Sequence, residues 1–158
     1  LWKKFRRVRL QLSIDDLEER NHYVRYPSNW EVIMKYFYKI LEYRDIFKLE
    51  VCQTVSSLNV FNMDNFKKWT LDNDIQISHN YVHYPDHLHV SLIPEKMKEY
   101  ILKNIEHMRE DEIQRLKIEL FREHTEKDVN RFYSFIRLMD RGRKVNIIDY
   151  LPEWKNYF

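Results

Sequence analysis

Three short runs with the pattern of β-strands alternate with two helical runs, and this order constrains the fold of the 158-residue chain more than any other feature. Every second residue from Val8 to Ile14 is apolar, and that period-two spacing is typical of a strand. Two further strands are predicted at 47–55 and 75–82. Because strands separated by helices pair in parallel through crossover connections, the predicted fold class is α/β with three neighbouring parallel strands.

The two intervening helices are predicted from capping and apolar spacing. A charged loop over 15–27 ends at a proline, and Ser28 and Glu31 then have the spacing of a capping box. The first helix is therefore predicted to begin at Ser28 and to end near Asp45. A loop over 56–62 is expected to lead into a second helix over about 64–71.

The remainder of the chain is predicted to be mainly helical. A short extended segment is expected at 89–93, and Pro94 fits the first position of a helix. Thr125 is a candidate cap for a later helix, which Gly142 is expected to terminate. The tail over 145–158 is predicted to be irregular.

Composition excludes several classes of protein. The chain is 44% hydrophobic, which argues against disorder, and its net charge of +2 comes without the clustered basic face of a nucleic-acid-binding protein. The basic stretch Trp2–Arg9 is short and is interpreted as a solvated lead-in to the first strand. Gly142 is the only glycine, which excludes glycine-rich phosphate-binding loops. No apolar run approaches the ~20 residues of a membrane span, so none is expected.

Cys52 is the only cysteine, so the chain contains neither a disulfide framework nor a zinc site built on cysteine pairs. This fits a reducing compartment, and a cytoplasmic location is expected. Because Cys52 lies within an apolar strand pattern, it is interpreted as a small buried side chain rather than a nucleophile.

Polar side chains at the end of the first strand form the leading candidate site. Ser13 and Asp15 fall on the same face, and Arg20 and Arg25 follow. Ligands of open α/β sheets bind beyond the carboxyl ends of parallel strands, where hydroxyl and carboxylate groups can bind a ribose and an arginine can bind a carboxylate. The alternative is that the first two residues cap a turn while the arginines pair with the glutamates at 18–19.

A second candidate is the set of histidines in HNYVHYPDHLH, at positions 79, 83, 87 and 89. In one continuous strand these odd positions would share a face, as the ligands of one metal ion do. Pro85 interrupts the run, so a polar loop is the favoured interpretation and no metal site is predicted. A metal hydrolase is also disfavoured, because Asp86 is the only acid nearby in sequence.

Four segments carry a resemblance to a known family: LQLSIDDLEERNHYVRYPSNWEVI, CQTVSSLNVFNMDNF, HYPDHLHVSLIPEKMKEYI and FIRLMDRGRKVNIIDYLPEW. In this order they resemble segments of radical SAM enzymes that have a short C-terminal auxiliary region of the twitch type. The first is similar to a family segment in which a strand ends in Ser-Ile-Asp-Gly and is followed by Glu-Arg-Asn-Glu-Tyr-Ile-Arg-Tyr-Pro. One departure is Asp16, which replaces the glycine of the family pattern and would stiffen the turn.

The resemblance implies two cofactors, S-adenosylmethionine (SAM) and a 4Fe–4S cluster, and the reductive cleavage of SAM to a radical that abstracts hydrogen from a substrate. It implies that residues 1–93 are the C-terminal half of a partial parallel (β/α) barrel, and that residues 94–158 are a helical C-terminal extension. The family holds its cluster with a CxxxCxxC motif, which this chain lacks. The chain therefore resembles the C-terminal half to two-thirds of such an enzyme and is expected to be inactive alone.

The resemblance also assigns roles to individual residues. Ser13 would contact the SAM ribose, Asp15 would lie at the same strand end, and Arg25, or else Arg20, would bind the methionine carboxylate. Thr54 and Asn59 would line the end of the second strand. The substrate is not identified, and a first strand without its upstream neighbour would expose a sheet edge that favours self-association. The alternative is a non-catalytic α/β binding or interaction domain.

Overall fold

The computed structural model describes residues 4–6 and 8–158, so the basic stretch Trp2–Arg9 lies partly outside the described residues. In chain order the elements are β1 (Val8–Ser13), α1 (Glu18–Val24), α2 (Trp30–Leu41), β2 (Phe47–Val55), α3 (Met63–Asp72), β3 (Gln76–Tyr81), α4 (Glu95–Lys103), α5 (Glu110–Leu120), α6 (Glu126–Arg143) and α7 (Ile147–Tyr150). Across the described ranges, no helix combines the length and apolar character that crossing a membrane requires.

The three strands form one parallel sheet in the order β1–β2–β3, which confirms the predicted pairing. Leu12 lies opposite Val51, and Val51 lies opposite Ile77. These apolar side chains fall on one face because side chains alternate along a strand. Within the described chain, β1 and β3 are the two edges of the sheet.

The two faces of the sheet are covered differently. On the apolar face, α2 and α3 pack Phe37 and Phe66 against Val51, and both rings are buried. The opposite face carries polar side chains, most of them exposed, at Gln11, Ser13, Glu50, Cys52, Thr54, Gln76, Ser78 and Asn80. We call this second surface the open face. It is unusual because parallel sheets normally have both faces covered.

A larger core joins the strand ends to the C-terminal helices. It includes Val55 and Tyr81 from the sheet together with Leu116, Phe132 and Trp154 from the second half of the chain, all of them buried. The core therefore contains residues from both sides of position 93, the predicted boundary between the two regions. That boundary stays a prediction.

Two local predictions near the candidate site were wrong. The charged segment after β1 is not a loop, because it contains α1, whose first turn carries Glu18 and Glu19. Acidic side chains in a first turn interact favourably with the helix dipole. Ser28 does not cap α2; the cap is Asn29, whose side chain accepts a hydrogen bond from the backbone of Val32.

The C-terminal half also differs from the prediction in places. Thr125 caps α6 as expected, but Gly142 lies within that helix, and the residue beyond its end, in the left-handed conformation, is Lys144. The segment expected to be extended at 89–93 contains a 3₁₀ turn over Val90–Leu92. The tail is not wholly irregular, since it contains α7 and a 3₁₀ turn over Pro152–Trp154.

Candidate functional site

The turn that follows β1 is fixed by side-chain amides. Asn21 Oδ1 accepts hydrogen bonds from the backbone N–H groups of Asp15 and Asp16, at 3.2 Å each. The carbonyl oxygen of Asp15 accepts from Gln53 Nε2 at 2.9 Å and from Asn59 Nδ2 at 2.7 Å. The side chains of Asn21, Gln53 and Asn59 therefore provide hydrogen-bond partners for the backbone of the turn, as buried polar groups require.

An aspartate is accommodated where the family pattern has glycine. Asp16 is not among the described residues with positive φ, whereas Glu18, two positions later, has φ of 50°. The conformation that favours glycine therefore falls outside position 16. The Asp16 side chain instead accepts hydrogen bonds from Asn62 at 2.6 Å and from the backbone of Leu17 at 2.8 Å.

The carboxylate of Asp15 connects the ends of β1 and β2. One oxygen accepts a hydrogen bond from the backbone N–H of Thr54 at 2.7 Å, and the other lies 2.9 Å from Arg25 Nη1. The Asp15 side chain is only 8% exposed, whereas that of Arg25 is 40% exposed. A buried carboxylate thus holds a solvent-facing guanidinium at the carboxyl ends of two parallel strands.

Ser13 and Thr54 are exposed beside this ion pair. Both lie on the open face, where Ser13 is opposite Cys52 and Thr54 is opposite Asn80. We call Ser13, Asp15, Arg25 and Thr54 the rim. Of the six residues that the family resemblance assigned to cofactor binding, these four lie at the same strand ends, and Asp15 directly contacts Arg25 and Thr54.

Arg20 points away from the rim and is held by two carboxylates. Its Nη atoms bind Glu153 in a bidentate arrangement at 2.9 and 2.6 Å, and its Nε lies 3.0 Å from Asp16. Burial disfavours the charged guanidinium, but Glu153 and Asp16 outweigh this effect, so the pKa of Arg20 is raised further. We call Asp16, Arg20 and Glu153 the inner cluster.

Burial also acts on the carboxylate of the inner cluster. It raises the pKa of Asp16, although the charge of Arg20 and the hydrogen bond from Asn62 act in the opposite direction. The glutamates at 18–19 are not the partners of the two arginines. The alternative pairing considered from the sequence is therefore wrong.

Asn59, the sixth of these residues, is fully buried and supports the strand ends from beneath. Its Nδ2 donates to the carbonyl oxygens of Asp15 and Thr54 at 2.7 and 2.9 Å, and its Oδ1 accepts from the backbone of Ser56 at 2.7 Å. These contacts give Asn59 a role in positioning the rim.

A buried polar pair that sequence reasoning missed lies beneath the rim. Gln53 Oε1 is 2.9 Å from His79 Nδ1, and the same glutamine donates to the Asp15 carbonyl. Burial lowers the pKa of His79 to about 4. The signal was present in the sequence, because Gln53 and His79 interrupt the apolar positions of β2 and β3.

The four histidines do not share one surface. His79 is within β3, and the ring of His87 packs against that of Phe135 in a tilted arrangement. His83 and His89 lie together beside Glu119 on α5. Sequence reasoning identified Asp86 as the nearby acid, but Asp86 pairs with Arg131 at 2.9 Å.

Cys52 is not a buried apolar side chain as expected. It lies half-exposed on the open face, and Asn80 Nδ2 is 2.9 Å from its sulfur. The alternation of β2 turns its side chain away from the apolar face, which period-two spacing could have indicated.

Comparisons with protein-family models, with curated proteins and with solved structures found no match for this chain. The geometry of the rim and the motifs in the sequence are therefore the features that point to a function.

Proposed function

We propose that this chain is the C-terminal part of a radical SAM enzyme and that its rim forms part of the SAM site. The observation that carries the proposal is the Asp15 carboxylate, which links the backbone of Thr54 to the guanidinium of Arg25 where two parallel strands end. Ligands bind at this edge of parallel α/β sheets. The resemblance of the Ser-Ile-Asp segment to the family supports the same position.

The open face supports an assignment to a partial parallel (β/α) barrel. A parallel sheet with a polar, uncovered face needs a second layer or a curved closure to remove that face from bulk water. In the proposal, the open face lines the interior of the barrel, and α2 and α3 form its outer layer. Further strands of the barrel would then pair with the outer edge of β1.

The rim residues fit the polar groups of SAM. The exposed hydroxyl of Ser13 is suited to a ribose hydroxyl, and Arg25 is suited to the methionine carboxylate. A guanidinium has five N–H donors, and only Nη1 contacts Asp15. We therefore assign the carboxylate to Arg25 rather than to Arg20, whose donors bind Glu153 and Asp16.

The chain does not fit a 4Fe–4S cluster. Such clusters are held by cysteine thiolates, and the sequence offers Cys52 alone. We therefore assign the cluster ligands to a segment upstream of Leu1 and assign no step of radical generation to these residues. A cofactor of this kind and a single unpaired cysteine favour a cytoplasmic location.

The experiment compares two proteins under anaerobic reconstitution with iron and sulfide. We expect this chain to show no 4Fe–4S absorbance and to cleave no SAM. A protein extended upstream in its gene to include a CxxxCxxC triad should gain the cluster and bind SAM. An upstream sequence without such a triad would overturn the proposal, as would an extended protein whose SAM affinity is unchanged in both Ser13→Ala and Arg25→Ala variants.

A non-catalytic binding domain is the second candidate. It is favoured by the internal pairing of the inner cluster and of Asn59, because side chains of the chain itself bind the polar groups of the turn. The two candidates differ at the β1 edge. A fragment of a barrel should self-associate through this edge, whereas a complete domain should elute as a monomer in size-exclusion chromatography over a range of concentrations.

A further inference from the structure

We propose that His83, His89 and Glu119 bind a divalent transition-metal ion, with Zn²⁺ the best fit. The segment between β3 and α4 supplies the two histidines, and the last turn of α5 supplies the glutamate. Two imidazoles and a carboxylate are a ligand set that zinc uses when a fourth position is left for water. Imidazole ligands also favour a transition metal over Mg²⁺ or Ca²⁺.

The distances match those of a tetrahedral site. His89 Nε2 lies 3.2 Å from one oxygen of Glu119, and His83 Nε2 lies 3.6 Å from the other. One ligand atom from each residue falls within 4.8 Å of the other two. Ligand atoms about 2.0–2.1 Å from a tetrahedral zinc ion are about 3.3–3.4 Å apart, so small side-chain rotations complete the site.

The two histidines of the site differ in their burial and in their hydrogen bonds. His89 is buried, and its Nδ1 accepts a hydrogen bond from the backbone N–H of Ser91 at 3.2 Å, so the imidazole proton lies on Nε2. Coordination through Nε2 requires that proton to move to Nδ1, where Ser91 Oγ, 2.9 Å away, can accept it. The His83 side chain is 52% exposed and faces a cleft of about 140 Å³. The cleft also contains Asp86 and Asp128, but Arg131 lies 2.9 Å from the first and 3.9 Å from the second, so their charges add little attraction for a cation.

Arg122 opposes metal binding in the present arrangement. Its Nη1 lies 2.8 Å from His83 Nδ1, so the arginine donates to Nδ1 and the imidazole proton lies on Nε2. Coordination through Nε2 requires that proton to move to Nδ1 and Arg122 to turn away. Arg122 is exposed, so solvent is available to it after that movement.

The test titrates metal-stripped protein with Co²⁺, which gives visible absorption bands in a tetrahedral site, and then displaces it with Zn²⁺ in a calorimeter. We expect one equivalent of metal to bind. His83→Ala and Glu119→Gln should each weaken binding by about tenfold or more, which is the lower end of the effect of disturbing a metal's surroundings. Arg122→Ala should strengthen binding, because it removes both a positive charge and the donor to Nδ1.

The matched control is His107→Ala, which removes a histidine that pairs with Asp64 away from this cleft. His83 is exposed, so its replacement should leave the thermal melting temperature unchanged and keep the result interpretable. Wild-type protein that binds neither metal more tightly than the His83→Ala/Glu119→Gln double variant would overturn the proposal. An equal loss of affinity in His107→Ala would also overturn it, by showing nonspecific histidine binding.

Discussion

Arg20 and Arg25 are five residues apart on α1 and its C-terminal cap, yet they have opposite surroundings. The Arg20 side chain is 18% exposed and contacts two carboxylates of the inner cluster, whereas that of Arg25 is 40% exposed and contacts one carboxylate at the rim. This difference assigns separate roles to Arg20 and Arg25, which the sequence alone did not distinguish. A guanidinium surrounded by internal acids stabilises the fold, and one at a solvent-facing strand end has donors for a ligand.

Arg20→Ala should have the largest effect, on stability. It leaves the carboxylates of Asp16 and Glu153 buried without their positive partner, and breaking a buried ion pair in this way costs about 3–5 kcal/mol. Urea unfolding monitored by circular dichroism measures the loss. The control Arg44→Ala removes an exposed ion pair with Asp74 and should cost less than about 1 kcal/mol. Equal losses of unfolding free energy in Arg20→Ala and Arg44→Ala would show that the inner cluster stabilises the fold no more than an exposed ion pair does.

Arg25→Ala should affect ligand binding more than it affects stability. We expect the free energy of unfolding to fall by less than in Arg20→Ala, because Arg25 is partly exposed and the buried Asp15 carboxylate keeps its hydrogen bond from the backbone of Thr54. In the upstream-extended protein, SAM affinity should fall by about 1.5–3 kcal/mol, the value of a hydrogen bond to a charged group and roughly a tenfold to 150-fold change in Kd. Calorimetric titration with SAM measures this, again with Arg44→Ala as control. A normal Kd in Arg25→Ala would remove Arg25 from the proposed site.

The pH dependence of the free energy of unfolding tests the role of His79 beneath the rim. Its pKa is about 4 in the folded protein, against an ordinary value of 6.5, so the unfolded chain binds more protons between these values. The contribution of neutral His79 to the free energy of unfolding is therefore fully present above pH 6.5 and decreases as the pH falls toward 4. Between pH 7 and pH 5, the wild-type protein should lose about 2 kcal/mol more than His79→Asn. Equal losses of unfolding free energy in the two proteins, measured by urea unfolding at each pH, would contradict the lowered pKa of His79.

Ser13→Ala should have the smallest effect. Losing one neutral hydrogen bond to the SAM ribose would cost about 0.5–1.5 kcal/mol of affinity in the extended protein, without a change in unfolding free energy. Ser78→Ala is the matched control, because Ser78 is also exposed on the open face but lies on β3. If the two variants bind SAM equally well, the site does not reach Ser13.

The sheet could be predicted from the sequence because strand patterns depend on local alternation. The three predicted strands match β1, β2 and β3 within about one residue at each end. The helix α1 was missed because it lacks a continuous apolar stripe. Its tertiary contacts hold it instead, through the buried ring of Tyr23 and the hydrogen bonds of Asn21, and tertiary packing supplies most of the stability of short helices.

The candidate site could be predicted only in part. The convergence of Ser13, Asp15 and Thr54 follows from the rule that parallel strands end at the same edge. The partner of Arg20 could not be predicted, because Glu153 is 133 residues away and no periodic pattern connects the two. Glu119 was missed for the same reason, since it lies 30 residues from His89.

The separation between Arg20 and Glu153 also sets the order in which a nascent chain completes its structure. A chain leaves the ribosome with its N-terminus first, so all three strands emerge before Glu153 is synthesised. Until then, Arg20 has Asp16 as its only carboxylate partner from the inner cluster. Contacts between distant residues form slowly because a long loop must close. The rim can therefore assemble early in synthesis, while the inner cluster closes only after α7 and the segment that follows it have been made.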